Sequence, residues 1–189
     1  IAVRALSLLG LAMVMAWAAI TILWQGTPPT IRRALYAAAL AGVAVLCFAT
    51  LLNLATVRDA YGSIALSELT LHTPSGRYWL LRLAAVVIAA CALGLARARP
   101  HQAGMVALGG IALYLWGYTA TSHAAAVPGS GWARGLDFVH GMAALTWVGA
   151  LTGLAVATRA GSRDDRWRQL MPRFSMTASI CVFLVLTTG

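Results

Sequence analysis

Six long apolar runs limit what this chain can fold into. They are Ala5–Trp24, Ala34–Thr56, Tyr78–Ala96, Ala103–Thr121, Phe138–Thr158 and Phe174–Gly189. Crossing a bilayer as a helix takes about 20 mainly apolar residues, within a range of roughly 17–25. All the runs but the last meet that length, and the last reaches the end of the chain. Composition agrees: 60% of residues are hydrophobic and only 10% charged, against about 25% charged in a soluble domain. The expectation is an all-α integral membrane protein, a single polytopic helix bundle with six spans over residues 1–189. The first residue is Ile rather than Met, so a piece of a longer chain is expected. Ile1–Trp24 has no clear small-residue cleavage site and is followed at once by another span, so it is not read as a signal peptide.

Charge sets the orientation. The net charge of +9 comes from fourteen arginines and no lysine. Such a balance in a soluble protein points to nucleic acid, but here the positive residues sit in short connections, where they act as a topology signal. Arg32, Arg33, Arg97, Arg99, Arg159, Arg163, Arg166, Arg168 and Arg173 follow the first, third and fifth runs. Arg4, Arg58, Arg77 and Arg134 lie on the other side. Nine against four places the first set in the cytoplasm. The connections 57–75 and 122–133 then face outward, and no nucleic-acid partner is expected.

This orientation collects His72, His123, His140, Asp59, Glu68 and Asp137 on the outer side, with His101, Asp164 and Asp165 inside. An ionisable residue within the membrane is costly and is a functional hypothesis by default. His140 falls in the first turns of the fifth span, and Asp137 lies one turn earlier on nearly the same face. A carboxylate that accepts a histidine N–H fixes the ring tautomer, as the outer partners of metal ligands do. The other reading of this pair is a structural hydrogen bond that ties the helix to a neighbour. His123 follows Ser122 at the outer end of the fourth span, and the hairpin returns it to the side of His140. Arg82, inside the third span, either snorkels to the surface or pairs with Asp137 or Glu68. Cys47, Cys91 and Cys181 lie in apolar runs without metal-binding spacing and read as packing residues.

The connections carry further expectations. Pro28 and Pro29 stop the first helix. Residues 57–75 are amphipathic in part and are expected to lie on the membrane surface as a short helix. Gly104, Gly109, Gly110 and Gly117 in the fourth span, with Gly149-x-x-x-Gly153 in the fifth, predict close packing of these two helices against each other. No nucleotide loop, zinc-finger spacing or H-E-x-x-H is present, so a soluble-type enzyme has no footing and no catalytic residue is expected.

Three stretches carry a resemblance. The first is Thr70-Leu71-His72-Thr73-Pro74-Ser75-Gly76-Arg77, leading into Trp79-Leu80-Leu81-Arg82-Leu83. The second is Ser122-His123-Ala124 with Asp137-x-x-His140 and Trp147-Val148-Gly149. The third is Arg173-Phe174-Ser175, ending at Thr188-Gly189. In order and spacing they resemble the copper-resistance protein D (CopD) family of bacterial inner-membrane proteins, over about Thr70–Gly189. The resemblance implies copper resistance and homeostasis, with copper moved into or across the plasma membrane. It places His123 and His140 at the family's motif histidines. Copper ion is the expected ligand, bound by His123 and His140, with His72, Glu68 or Asp59 completing the site and Asp137 orienting His140. A periplasmic copper carrier or a cytochrome oxidase copper-assembly domain is the implied partner. Two other readings stay open: a b-type haem electron carrier, which pairs histidines across neighbouring helices, and a structural assembly subunit.

Overall fold

The computed structural model describes residues 2–24, 27–62, 65–121, 131–159 and 166–189, with backbone only at 157 and 166–170. Among these residues all regular structure is helical. The order is α1 (Ala2–Leu23), α2 (Pro29–Tyr61), α3 (Leu66–His72), α4 (Pro74–Leu95), α5 (Pro100–Thr119), α6 (Gly131–Arg159) and α7 (Arg166–Thr188). Five of them, α1, α2, α4, α6 and α7, are long and apolar enough to cross a membrane. The chain is thus an all-α, multi-pass membrane protein.

The expected fourth span coincides with α5. Its 20 residues give it the length, but His101, Gln102, four glycines, Tyr114 and Tyr118 dilute its apolar character. Its position explains why. α5 packs between α4 and α1 and also touches α6, and Ala103, Ala107, Gly110, Ile111, Tyr114 and Leu115 are buried along it. A helix whose neighbours are other helices does not need a lipid-compatible surface all round.

α1 is the central post. Val14 to Ile20 are all buried without a break, as expected of a helix apolar on every side. α2, α5 and α6 surround it. α2 crosses where Gly10 meets Gly42: a Cβ on Gly42 would lie 2.8 Å from the Gly10 carbonyl oxygen. The glycine pair of α6 also turns to α1. A Cβ on Gly149 would lie 2.6 Å from Met15 Cγ, and one on Gly153 would collide with Ile20. The pairing expected for these glycines, against Ala103–Thr121, is therefore corrected. α5 uses its own glycines elsewhere, Gly110 and Gly117 against α4 and Gly104 against Ala18 and Ile22 of α1.

Two further boundaries differ from the apolar runs for local reasons. α2 continues past Thr56 to Tyr61, because nothing in Val57–Ala60 breaks a helix. It stops at Gly62, whose φ of 66° suits glycine and few other residues. α4 starts at Pro74, ahead of its apolar run. Thr73 caps it by accepting the Gly76 N–H at 3.0 Å, and Pro74 fills the first turn. The short α3 packs onto α4 at this corner. Gly76 gives it room, since a Cβ there would strike the Leu69 carbonyl. Arg77 Nε donates to Leu71 O at 3.0 Å and so satisfies the end of α3. The Thr73–Arg77 stretch is accounted for as the joint between two helices.

Candidate functional site

One end of the bundle is formed by the end of α2, by α3, by the start of α4, the end of α5 and the start of α6. We call it the α3 end. The opposite end carries Arg32, Arg33, Arg97, Arg99 and Arg159. Every described residue of the expected site lies toward the α3 end, because the helices run antiparallel in sequence order.

His140 lies nine residues into α6, which begins at Gly131. At 1.5 Å per residue the ring sits roughly 13 Å below the helix start. It is half-buried and faces α7, where its Nδ1 meets Thr188 Oγ1 at 3.3 Å. The single hydroxyl proton of Thr188 is committed to the Leu184 carbonyl at 2.6 Å. The Thr188 oxygen therefore accepts at the imidazole, and neutral His140 carries its proton on Nδ1. The Nε2 lone pair is left to bind a ligand. Gly189 makes this approach possible, since a Cβ there would lie 3.0 Å from the ring.

Asp137 is half-buried on the same helix, and its charge reaches Tyr118 of α5. His140 turns to α7. His123 lies outside the described residues. The candidates of the long connection form a separate corner. Glu68 and His72 are four residues apart on α3, hence on one face, and both are exposed. Asp59 is exposed in the last turn of α2. α3 packs on α4 and lightly on α2, so these three stand apart from His140. Among the described residues no three of His, Cys, Asp and Glu converge as a metal-binding group.

Arg82 follows neither course expected of it. It is 6% exposed, and its guanidinium points into the bundle rather than out to the surface. Nε donates to Gly117 O at 3.2 Å, Nη1 to Asn53 Oδ1 at 3.3 Å and Nη2 to Thr121 Oγ1 at 2.6 Å. All three acceptors are neutral. Beside it runs a buried polar belt. The Tyr114 hydroxyl lies 3.0 Å from Ser7 Oγ and 3.3 Å from Thr50 Oγ1, and Trp79 Nε1 donates to Thr50 O at 2.7 Å. The belt links α1, α2, α4 and α5. Nearer the rim, the Arg134 guanidinium lies 5.2 Å from the Trp116 ring centroid and 5.8 Å from that of Tyr78. Sequence reasoning passed over Ser7, Thr50 and Asn53. Their signal was available as isolated polar side chains within apolar runs.

Against protein-family models, curated proteins and solved structures, the chain has no match.

Proposed function

We propose that this chain is a copper-handling protein of the CopD type, seated in the bacterial inner membrane with six spans and the α3 end outward. It takes copper from the outer side and passes it into or across the membrane. The observation that carries the reading is His140. An imidazole inside a membrane helix, held at Nδ1 by Thr188, leaves Nε2 to bind a metal. Imidazole suits copper among the first-row metals, and geometry and ligand type set selectivity more than raw affinity does. The nine-to-four arginine bias supports the orientation. His123 begins the connection that returns to α6 and supplies a second imidazole. His72, Glu68 and Asp59 form an acceptor-rich rim suited to a first encounter with the ion, and Asp137 sits one turn above His140. Copper is cargo here, so the site must release it as well as hold it.

The test is copper content and affinity of the purified chain, with zinc and iron as competitors. His140→Ala abolishes copper retention, and His123→Ala weakens it strongly. Thr188→Val weakens it by roughly 10–100-fold, the usual effect of losing a group that orients a metal ligand, whereas Asp137→Asn has a smaller effect, since Thr188 rather than Asp137 holds the His140 Nδ1. Thr188→Ser restores it, and His101→Ala, at the opposite end, leaves it unchanged. Parental copper binding by the His123→Ala, His140→Ala double variant would refute the site. A Soret band in the purified protein would instead assign the histidines to haem.

A further inference from the structure

A second feature lies at the arginine-rich end, away from the histidines. A cavity of about 790 Å³ sits between the end of α1, the start of α2, the turn after α4 and the start of α5. That volume is within the roughly 300–1,000 Å³ typical of ligand pockets. Its wall is mixed: Trp17, Ile20, Trp24 and Leu35 are apolar, and Tyr36 and His101 add polar groups. Its rim is cationic. Arg32 and Arg33 come from the first turns of α2, and Arg97 from the turn after α4. All three are exposed, and no carboxylate among the described residues lines the cavity.

The backbone adds to this field. α2 and α5 both begin at the cavity, at Pro29 and Pro100, and neither start is capped by a side chain. Neither has an acidic residue in its first turn. The opening N–H groups of a helix have no partner within it, and the helix dipole places partial positive charge there. Together they make a helix start receptive to anions. Two such starts and three guanidinium groups around one cavity favour an anion there.

We propose that this cavity binds the phosphate headgroup of an acidic phospholipid. Arg32, Arg33 and Arg97 take the phosphate, and Trp24 and the half-buried Tyr36 take the glycerol and the first part of the acyl chains. The ligand class follows from pairing a cationic rim with an aromatic wall at the ends of membrane-crossing helices, level with lipid headgroups. Basic pockets between such helices hold anionic headgroups in this way. A free phosphate shares the headgroup chemistry but would use the rim and leave the wall empty. The proposal does not depend on copper.

The full chain, delipidated in neutral detergent, is titrated with phosphatidylglycerol, phosphatidylcholine or sodium phosphate and followed by native mass spectrometry and thermal melting. Phosphatidylglycerol is expected to bind at least about tenfold more tightly than phosphatidylcholine and to raise the melting temperature. Each of Arg32→Gln, Arg33→Gln and Arg97→Gln lowers that affinity about fivefold, and the triple variant about 100-fold, as expected for arginines beside an anionic headgroup. The melting temperature without lipid stays at the parental value, because all three side chains are exposed. Arg58→Gln, at the α3 end, changes nothing. Equal binding of the two lipids, or parental binding by the triple variant, overturns the proposal. Sodium phosphate binding as tightly as phosphatidylglycerol overturns the lipid assignment and leaves a soluble phosphate as the ligand. Should the triple variant fail to fold, Arg97→Gln alone decides between the same outcomes.

Discussion

Arg82 shows how a membrane protein accommodates a cation with no carboxylate among its described partners. A guanidinium has five N–H donors in a fixed planar fork, and three of them reach acceptors on α2, α5 and the turn after α5. The Thr121 hydroxyl proton is directed to Tyr118 O at 3.0 Å, which frees its oxygen to accept from Arg82. From sequence, the cost of the charge is visible but its solution is not. A carboxylate partner is the simplest guess, while carbonyl, amide and hydroxyl acceptors from three segments become partners only through packing. The arrangement predicts that Arg82→Lys lowers the melting temperature in detergent. One ammonium cannot span three separated acceptors, and hydrogen bonds to a charged group contribute about 1.5–3 kcal/mol each. Glu68→Gln leaves the melt unchanged. A lysine variant that melts like the parent would show that the three-point geometry does not matter.

Among the elements, the small-residue pattern of α6 was legible and its partner was not. Gly149-x-x-x-Gly153 marks a face made for close approach, but spacing along one helix says nothing about which neighbour arrives. α5 is next in sequence, whereas α1 is the helix with a continuous apolar circumference, and α6 docks there. Gly149→Ala is expected to force apart α6 and α1, because its Cβ would meet Met15 Cβ at 2.9 Å and the Ala16 backbone nitrogen at 3.0 Å. Overpacking of this kind costs about 1–3 kcal/mol. Gly109→Ala, with nothing within 4 Å of its Cβ, is neutral or slightly stabilising, since alanine is the better helix former. Thermal melts of the two variants check this, and equal melting temperatures would remove the α1–α6 contact from the account.

For the whole molecule, the arginine bias and the helix order make one prediction about sidedness. In a background with Cys47, Cys91 and Cys181 replaced by alanine, a cysteine at Ser67 of α3 is expected to react with an impermeant reagent in intact cells. One at Gln102, in the first turn of α5, reacts only after the membrane is opened. Both positions are exposed on the fold. The reverse pattern would turn the molecule over and place His140 toward the cytoplasm. The outward surface of α7 is consistent with a lipid setting: Met176, Ile180, Phe183 and Leu186 are all exposed on it.

By itself the sequence determined the solvent. Runs of apolar residues this long, with charge confined to their ends, specify membrane-crossing helices, because an unsatisfied backbone group in hydrocarbon leaves few alternatives. It also indicated a short helix between α2 and α4, although α2 takes up residues 57–61 and the short helix is confined to Leu66–His72. Only the tertiary structure decided what lies beside what. The α6 glycines could have met any neighbour, and packing gave them α1. Arg82 could have met a carboxylate, and packing gave it neutral oxygens. His140 shows nothing in sequence of Thr188, which lies 48 residues away and selects its tautomer. Local rules act through neighbours along the chain, and these contacts form between segments that meet only once the bundle has closed.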